Sequence, residues 1–586
     1  MPVKVGMKAI QLFFWTGIYC SVLGFFLPLS TNAQSNAPRY ANAFETALAF
    51  RDPVPQASSV SSAGQSGADS QSVSKVWSPD LGNGMYKNPV LYADYSDPDV
   101  IRVGEDFYLV ASSFDAVPGL PILHSMDLVN WELIGHALLR QPPSDVYNVP
   151  RHGNGAWAPS IRFHDGSYFI FYPDPDYGIY MIRSSSIKGP WSTPLLIKAA
   201  PGWIDPCPFW DDDGKTYLIS ALAGSRKGVK GALVLSRISA DGATILDEGA
   251  IVVDGHLLDP TLEGPKLYKR NGYYYIFAPG GGVTSGWQLV FRSKDLYGPY
   301  ERREVLAQGT TLVNGPHQGA WVTTSAGEDW FQHFQEAGPY GRVVHLEPMR
   351  WINDWPLIGR AGKYGQPGEP VESYRKPGAK KTPIFNPADS DEFNAPTIGL
   401  QWQWQANPMP SWAFPSQALG ALRLIDVPER AKGESLWKKP NLLLQKLPGP
   451  AFTATAKVSV DAHSVGDQTG LVILGQSYAY LAIKKTDQGL VVRQVESRDA
   501  SFDGGEIEDA TAVLHGKDVL LRATVTADAQ AVFSYSEDAL HFHVLGSPFR
   551  MQAGRWIGAK IGLFAMGVSN TGEYGYADYD WFRFER

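Results

Sequence analysis

At 586 residues the chain is longer than one hydrophobic core usually serves, which points to two domains with appendages. Its 59 glycines, 43 prolines and 12% aromatic content favour many turns between short strands over long helices, and so an all-β protein. A net charge of −8 argues against nucleic acid and anionic membrane surfaces as partners, so a neutral ligand fits better.

Residues 1–33 read as a signal peptide. Lys4 and Lys8 precede an apolar run, and Thr31 and Ala33 occupy the small-residue places of a cleavage site. This implies export to the periplasm or beyond. The apolar stretch from Ala9 to Leu29 also has the length of an uncleaved anchor. Removing the leader removes Cys20 and leaves Cys207, so a mature monomer has no disulfide. Residues 34–84 form a linker, flexible where "QASSVSSAGQSGADSQSVSKV" carries eight serines.

From 85 to 362 the chain repeats. Strand pairs bent around a glycine occur at "VGEDFYLV", "DGSYFIFY", "DGKTYLIS", "NGYYYIFA" and "AGEDWFQHF", with Gly104, Gly166, Gly214, Gly272 and Gly327 spaced by 62, 48, 58 and 55 residues. A serine follows in a third strand at Ser125, Ser184, Ser236 and Ser293. Five such units make a five-bladed β-propeller, a radial repetition that leaves few exposed sheet edges.

The strand before each glycine turn is the innermost of its blade. These strands open with "YSDPDVIRV", "AWAPSIRF", "WIDPCPFW", "LEGPKLYK" and "NGPHQGAWV", each with a proline near its start. Proline forces its predecessor into extended geometry and withholds an N–H from the ladder, which suits the frayed start of a strand beside a cavity. Equivalent positions point at a common axis, so Asp97, Trp157, Asp205, Glu263 and His317 are expected around one mouth of the channel. Residues 363–383, rich in Gly, Pro and charge, read as a second linker. Residues 384–586 alternate apolar and polar in runs such as "FTATAKVSV" and "VLLRATVTA", the period of a β-sandwich. That sandwich is expected to cover a flank of the propeller and to supply a loop that narrows the pocket.

Three acids around one apolar mouth cannot all ionise cheaply, because burial and like charge both raise a carboxyl pKa. At least one holds a proton near neutrality. A protonated acid facing an ionised one is the equipment for glycosidic bond cleavage, the acid protonating the leaving oxygen and the base activating water. Spacing alone does not assign the roles. Cys207, beside Asp205, reads as a small buried filler, since no histidine partners it in the motif.

The five strand openings, taken together over 85–360, resemble glycoside hydrolase family 43. The tail from "DSDEFNAPTIGLQWQWQANP" to "YADYDWFRF" resembles the concanavalin A-like jelly roll of that family's β-xylosidase and α-L-arabinofuranosidase branch. The resemblance implies an inverting hydrolase of terminal β-D-xylosyl or α-L-arabinofuranosyl units on hemicellulose oligosaccharides or polysaccharides, with no required cofactor. Asp97 matches the general base, Asp205 the acid that tunes and orients, and Glu263 the proton donor. His317 matches a histidine that faces a channel Ca²⁺ through water. Trp157 fits an aromatic wall under the sugar, Arg342 a hydrogen-bond donor to a hydroxyl, and Phe114 a further substrate contact.

Ala116 and Val117 stand where well-known β-xylosidases of the branch carry bulky aromatics, which loosens the case for a strict xylose-sized pocket. A retaining fructan hydrolase on the same fold is one alternative, although "NDPNG" and "RDP" are lacking. A non-catalytic glycan-binding protein is the other.

Overall fold

The computed structural model describes residues 74–378, 382–431, 433–568 and 572–586. The signal peptide, the anchor and most of the first linker therefore lie outside the described residues.

Five four-stranded antiparallel sheets follow one another at residues 99–138, 160–199, 203–254, 266–307 and 317–358, each pairing its strands in sequence order. We call them blades 1 to 5. The five glycines predicted to turn the chain sit between the first and second strand of each blade, all with φ between +65° and +81°. Each also has open space where a Cβ would stand, so the backbone sign and not crowding calls for glycine there. The four repeat serines fall in the third strands. Ser125, Ser184 and Ser293 each accept a backbone N–H two residues on, which closes the following turn.

Apolar contacts run between blades. Leu109, Leu123 and Trp131 of blade 1 pack on Val322, Trp330 and Leu346 of blade 5, so the ring closes on its own first member. Tyr275, Phe277 and Val290 of blade 4 pack on Phe331, Met349 and Trp355 of blade 5. Behind the channel mouth, charged side chains fill the axis. Asp99 accepts hydrogen bonds from Arg162 Nη1 (2.6 Å) and from the Ile161 amide (2.8 Å). Arg162 Nη2 lies 2.9 Å from Cys207 Sγ, and Lys266 donates to Ser160 Oγ at 2.6 Å. Lys266, Asp99 and Cys207 are all fully buried. The cysteine is a filler in this ionic plug.

Residues 403–585 form two eight-stranded sheets packed face to face over a core that includes Trp402, Leu443, Leu471, Leu521, Phe533 and Phe582. The stretch 363–383 is not the free linker that its composition suggests. Ser373–Arg375 pairs as a strand with Met85–Lys87, Val371 is buried, and Glu369 takes both Arg360 and Thr310. Glycine and proline here shape a tight return along the propeller wall, which composition cannot distinguish from a tether.

Propeller and sandwich share backbone hydrogen bonds. Val117 and Trp404 exchange two of them, Gln141 and Asn407 pair side chain to backbone in both directions, and Ala559 donates to Pro339. Tyr340 Oη reaches the Pro450 and Thr526 carbonyls at 2.6 and 2.8 Å.

Candidate active site

Asp97 and Asp205 occupy equivalent places in blades 1 and 3, and both adopt a left-handed backbone, φ +54°. Few side-chain-bearing residues do so, Asp and Asn being among the more tolerant. At Asp205 the ladder slips between Ile204 and Cys207, and in blade 5 it slips between His317 and Gly319, where Gln318 has φ +35°. A bulge at a strand start re-aims the side chain, and Pro206 costs the ladder nothing because that N–H is already unpaired there.

The three carboxylates are each held. Asp97 accepts from Ser112 Oγ (2.6 Å) and Arg342 Nη1 (2.8 Å), and both partners are buried. Asp205 accepts the Gly264 amide at 2.8 Å, so it is tied to the residue after Glu263. Glu263 Oε1 lies 2.9 Å from His317 Nε2. The Glu263 side chain is about a third exposed (34%), against 0% for the histidine behind it.

Burial raises the Asp205 pKa, and the charges of Glu263 and Asp97 raise it further against the Gly264 hydrogen bond, to about 8. Burial also pushes Glu263 up. The hydrogen bond and charge of His317, with Arg342 and Lys230, outweigh that and hold it below the usual carboxylate range. One proton is thus retained near neutrality, as three converging acids require. It rests on Asp205 in the free enzyme, and the two acids titrate as a pair.

These groups open into a cavity of about 420 Å³. Asp97, Asp205, Glu263, Trp157, Phe114 and Arg342 all line it, so six of the seven residues singled out from the sequence share its wall. His317 does not. It stands behind Glu263 with Nδ1 buried and unpartnered. A hard cation takes six to eight oxygen ligands. One imidazole nitrogen is a poor match for a direct calcium ligand, and no step below is routed through a metal.

Trp157 is fixed by its Nε1 donating to the Gly153 carbonyl, and its ring lies 6.2 Å from Phe114. Ala116 and Val117 are buried away from the cavity, Val117 in its bridge to Trp404, so their small size does not widen it.

Two features escaped the sequence reading. Trp556, on a sandwich loop, enters the cavity wall with its ring 6.5 Å from Trp157. Its φ is +66°, a conformation that a Trp adopts only when its surroundings impose it. Arg555 and Trp556 press so closely on Gly153 that a Cβ there would lie 2.8 Å from Arg555 Cγ. Asp94 accepts the Arg342 amide and Ser96 Oγ on one oxygen and the Gly558 amide on the other. It therefore joins the propeller rim to the loop that carries Trp556. "AGRWIG", a tryptophan between glycines outside the strand pattern, was the available signal for the first; nothing local marks the second.

Residues 86–356 match the model of the glycosyl hydrolases family 43, and 390–585 match the β-xylosidase C-terminal concanavalin A-like domain. A relative from Xylanibacter ruminicola is 40% identical over 492 residues, covering 83% of this chain and 87% of its own. The chain belongs to glycosyl hydrolase family 43. This family 43 glycosidase is also 32% identical to a β-xylosidase of Formosa agariphila, over 86% of this chain and 91% of that one. A non-reducing end α-L-arabinofuranosidase of Bacteroides ovatus is 28% identical over 85% and 94%. The crystal structure of the family 43 protein BlXynB from Bacillus licheniformis superposes with a TM-score of 0.75 or slightly less, 0.74, at 27% identity, across 86% of this chain and 99% of the other. Membership retires both the fructan hydrolase and the non-catalytic alternatives.

Proposed function

We propose that this family 43 enzyme is an exo-acting, inverting hydrolase that releases terminal β-D-xylosyl or α-L-arabinofuranosyl residues from hemicellulose fragments. One observation carries the reading: three carboxylates converge on an aromatic-walled cavity whose floor is the ionic plug of Asp99, Arg162 and Lys266, so a chain end can enter but a chain cannot pass through. The names of the Formosa and Bacteroides relatives supply the two pentoses.

Asp97, kept ionised by the Arg342 guanidinium and the Ser112 hydroxyl, acts as base and takes a proton from water attacking the anomeric carbon. Glu263, the more exposed of the pair that shares a proton, gives it to the leaving oxygen, and Asp205 replenishes and orients it. Trp157, Phe114 and Trp556 supply apolar faces for the ring. The leader places this activity outside the cytoplasm.

The test is stereochemical. During hydrolysis of nitrophenyl β-D-xyloside and α-L-arabinofuranoside, proton NMR is expected to show first the anomer opposite to the substrate. First appearance of the retained anomer would reject the proposal.

A further inference from the structure

Blade 5 holds a second polar cluster outside the active-site cavity. His333, His345 and Glu347 are essentially buried, on the same face of two paired strands, and one ligand atom of each lies within 4.8 Å of the others. Among the described residues this is the one His/Cys/Asp/Glu group of that kind.

Hydrogen bonds settle which nitrogen of each imidazole carries its proton. His333 Nδ1 lies 3.1 Å from the Phe334 carbonyl, which can only accept, so Nδ1 is the donor and Nε2 bears a lone pair. That Nε2 nevertheless faces Glu347 Oε1 at 3.2 Å, acceptor against acceptor. Glu347 Oε2 is already occupied by the Val371 amide. For His345 the reasoning runs through a relay. Asn314 gives its amide nitrogen to the Thr284 carbonyl and so presents its oxygen to Gln335 Nε2 at 2.7 Å. Gln335 must then offer its own oxygen to His345 Nε2, 3.0 Å away, which makes that nitrogen the donor. His345 Nδ1 is left as a lone pair, buried and without a partner.

Two imidazole lone pairs and a carboxylate oxygen therefore converge with nothing between them, each ring braced through its other nitrogen as metal-binding histidines are. A proton on Glu347 would satisfy His333 but would leave His345 Nδ1 orphaned, whereas a cation satisfies both. We propose that His333, His345 and Glu347 bind a zinc ion inside blade 5, a structural site apart from the catalytic cavity. Two nitrogens and one oxygen suit zinc rather than calcium or magnesium. Tetrahedral zinc sets its ligand atoms about 3.3 Å apart. His333 and Glu347 already stand at that separation, and His345 reaches it with a small side-chain shift. The relay ends at Thr284, next to Val283 and Gly282 of the cavity wall, so the ion also braces the pocket lip.

The experiment uses the full-length protein, stripped with EDTA, reloaded with zinc chloride, desalted and assayed by elemental analysis and thermal melting. About one zinc per chain and a rise in Tm on loading are expected, and both are lost in Glu347→Gln and His345→Ala. Glu347→Gln is the sharper variant, because its amide can donate to His333 Nε2 and would preserve a cluster held by hydrogen bonds alone. The proposal is overturned if the reloaded wild type keeps no zinc, if it keeps calcium alone, or if Glu347→Gln keeps as much zinc as the parent. Should neither variant fold, the zinc content of the wild type decides.

Discussion

Propeller and sandwich are built from the same material, short antiparallel strands around apolar cores, yet they contribute to the site in different ways. The propeller repeats around an axis, so one position per blade, repeated five times, delivers a converging set: Asp97, Trp157, Asp205, Glu263 and, one layer back, His317. The sandwich packs two sheets against each other and has no axis on which its residues could meet. It contributes a single loop, at Trp556, and that loop is held in place by the propeller itself through Asp94 and Gly153. Symmetry gathers catalytic groups; docking finishes the pocket.

That contrast can be broken experimentally. The largest effect belongs to the axis: Glu263→Ala and Asp97→Ala are each expected to cut kcat/KM on a nitrophenyl pentoside by about 10²–10⁴-fold with an unchanged circular dichroism spectrum. A loss under tenfold in either would mean that the converging acids are not the catalyst. Next comes the loop. Trp556→Ala removes an aromatic face but no reacting group, so KM should rise about tenfold while kcat stays near the parent value. A fall in kcat matching that of Glu263→Ala would place the sandwich inside the chemistry.

Asp94→Ala should reproduce part of the Trp556 effect on KM and also cost about 1–3 kcal/mol in denaturant unfolding, because it leaves the buried Arg342 and Gly558 amides unpaired. Normal KM in that variant would show that the loop is held by other means. The smallest effect concerns stability. Asp205 moves from 3.8 to about 8 on folding, so the native state binds its proton more tightly than the unfolded chain does. Its contribution is full below about pH 4 and is lost as the pH rises to about 8. Asp205→Asn should therefore gain in Tm over the parent progressively between about pH 5 and 8; a constant difference would contradict the shift.

The contrast also explains what could be read in advance. The glycine spacing exposed the blades because every blade needs a left-handed turn at the same place, and the proline-marked strand openings exposed the acids because each inner strand frays at the same rim. Trp556 and Asp94 obey no repeat; their roles arise from contacts between residues hundreds of positions apart. The stretch 363–383 misled for a related reason, since glycine and proline serve a tight return and a loose tether equally well. Ala116 and Val117 were placed at the pocket by likeness to relatives, but the bridge from Val117 to Trp404 turns that segment toward the sandwich. Which acid carries the shared proton depends on His317 standing behind Glu263, a contact that spacing does not show.

The central claim, that Asp205 and Glu263 share one proton which Glu263 delivers, is tested most directly by the pH profile of kcat/KM for the parent and for Asp205→Asn. With Asp205 present, the alkaline limb should fall near pH 8, set by the pair. With asparagine there, Glu263 titrates alone against His317, and the limb should move to lower pH, leaving little activity at neutrality. An alkaline limb that stays where it was would show that Asp205 does not hold the proton that Glu263 donates.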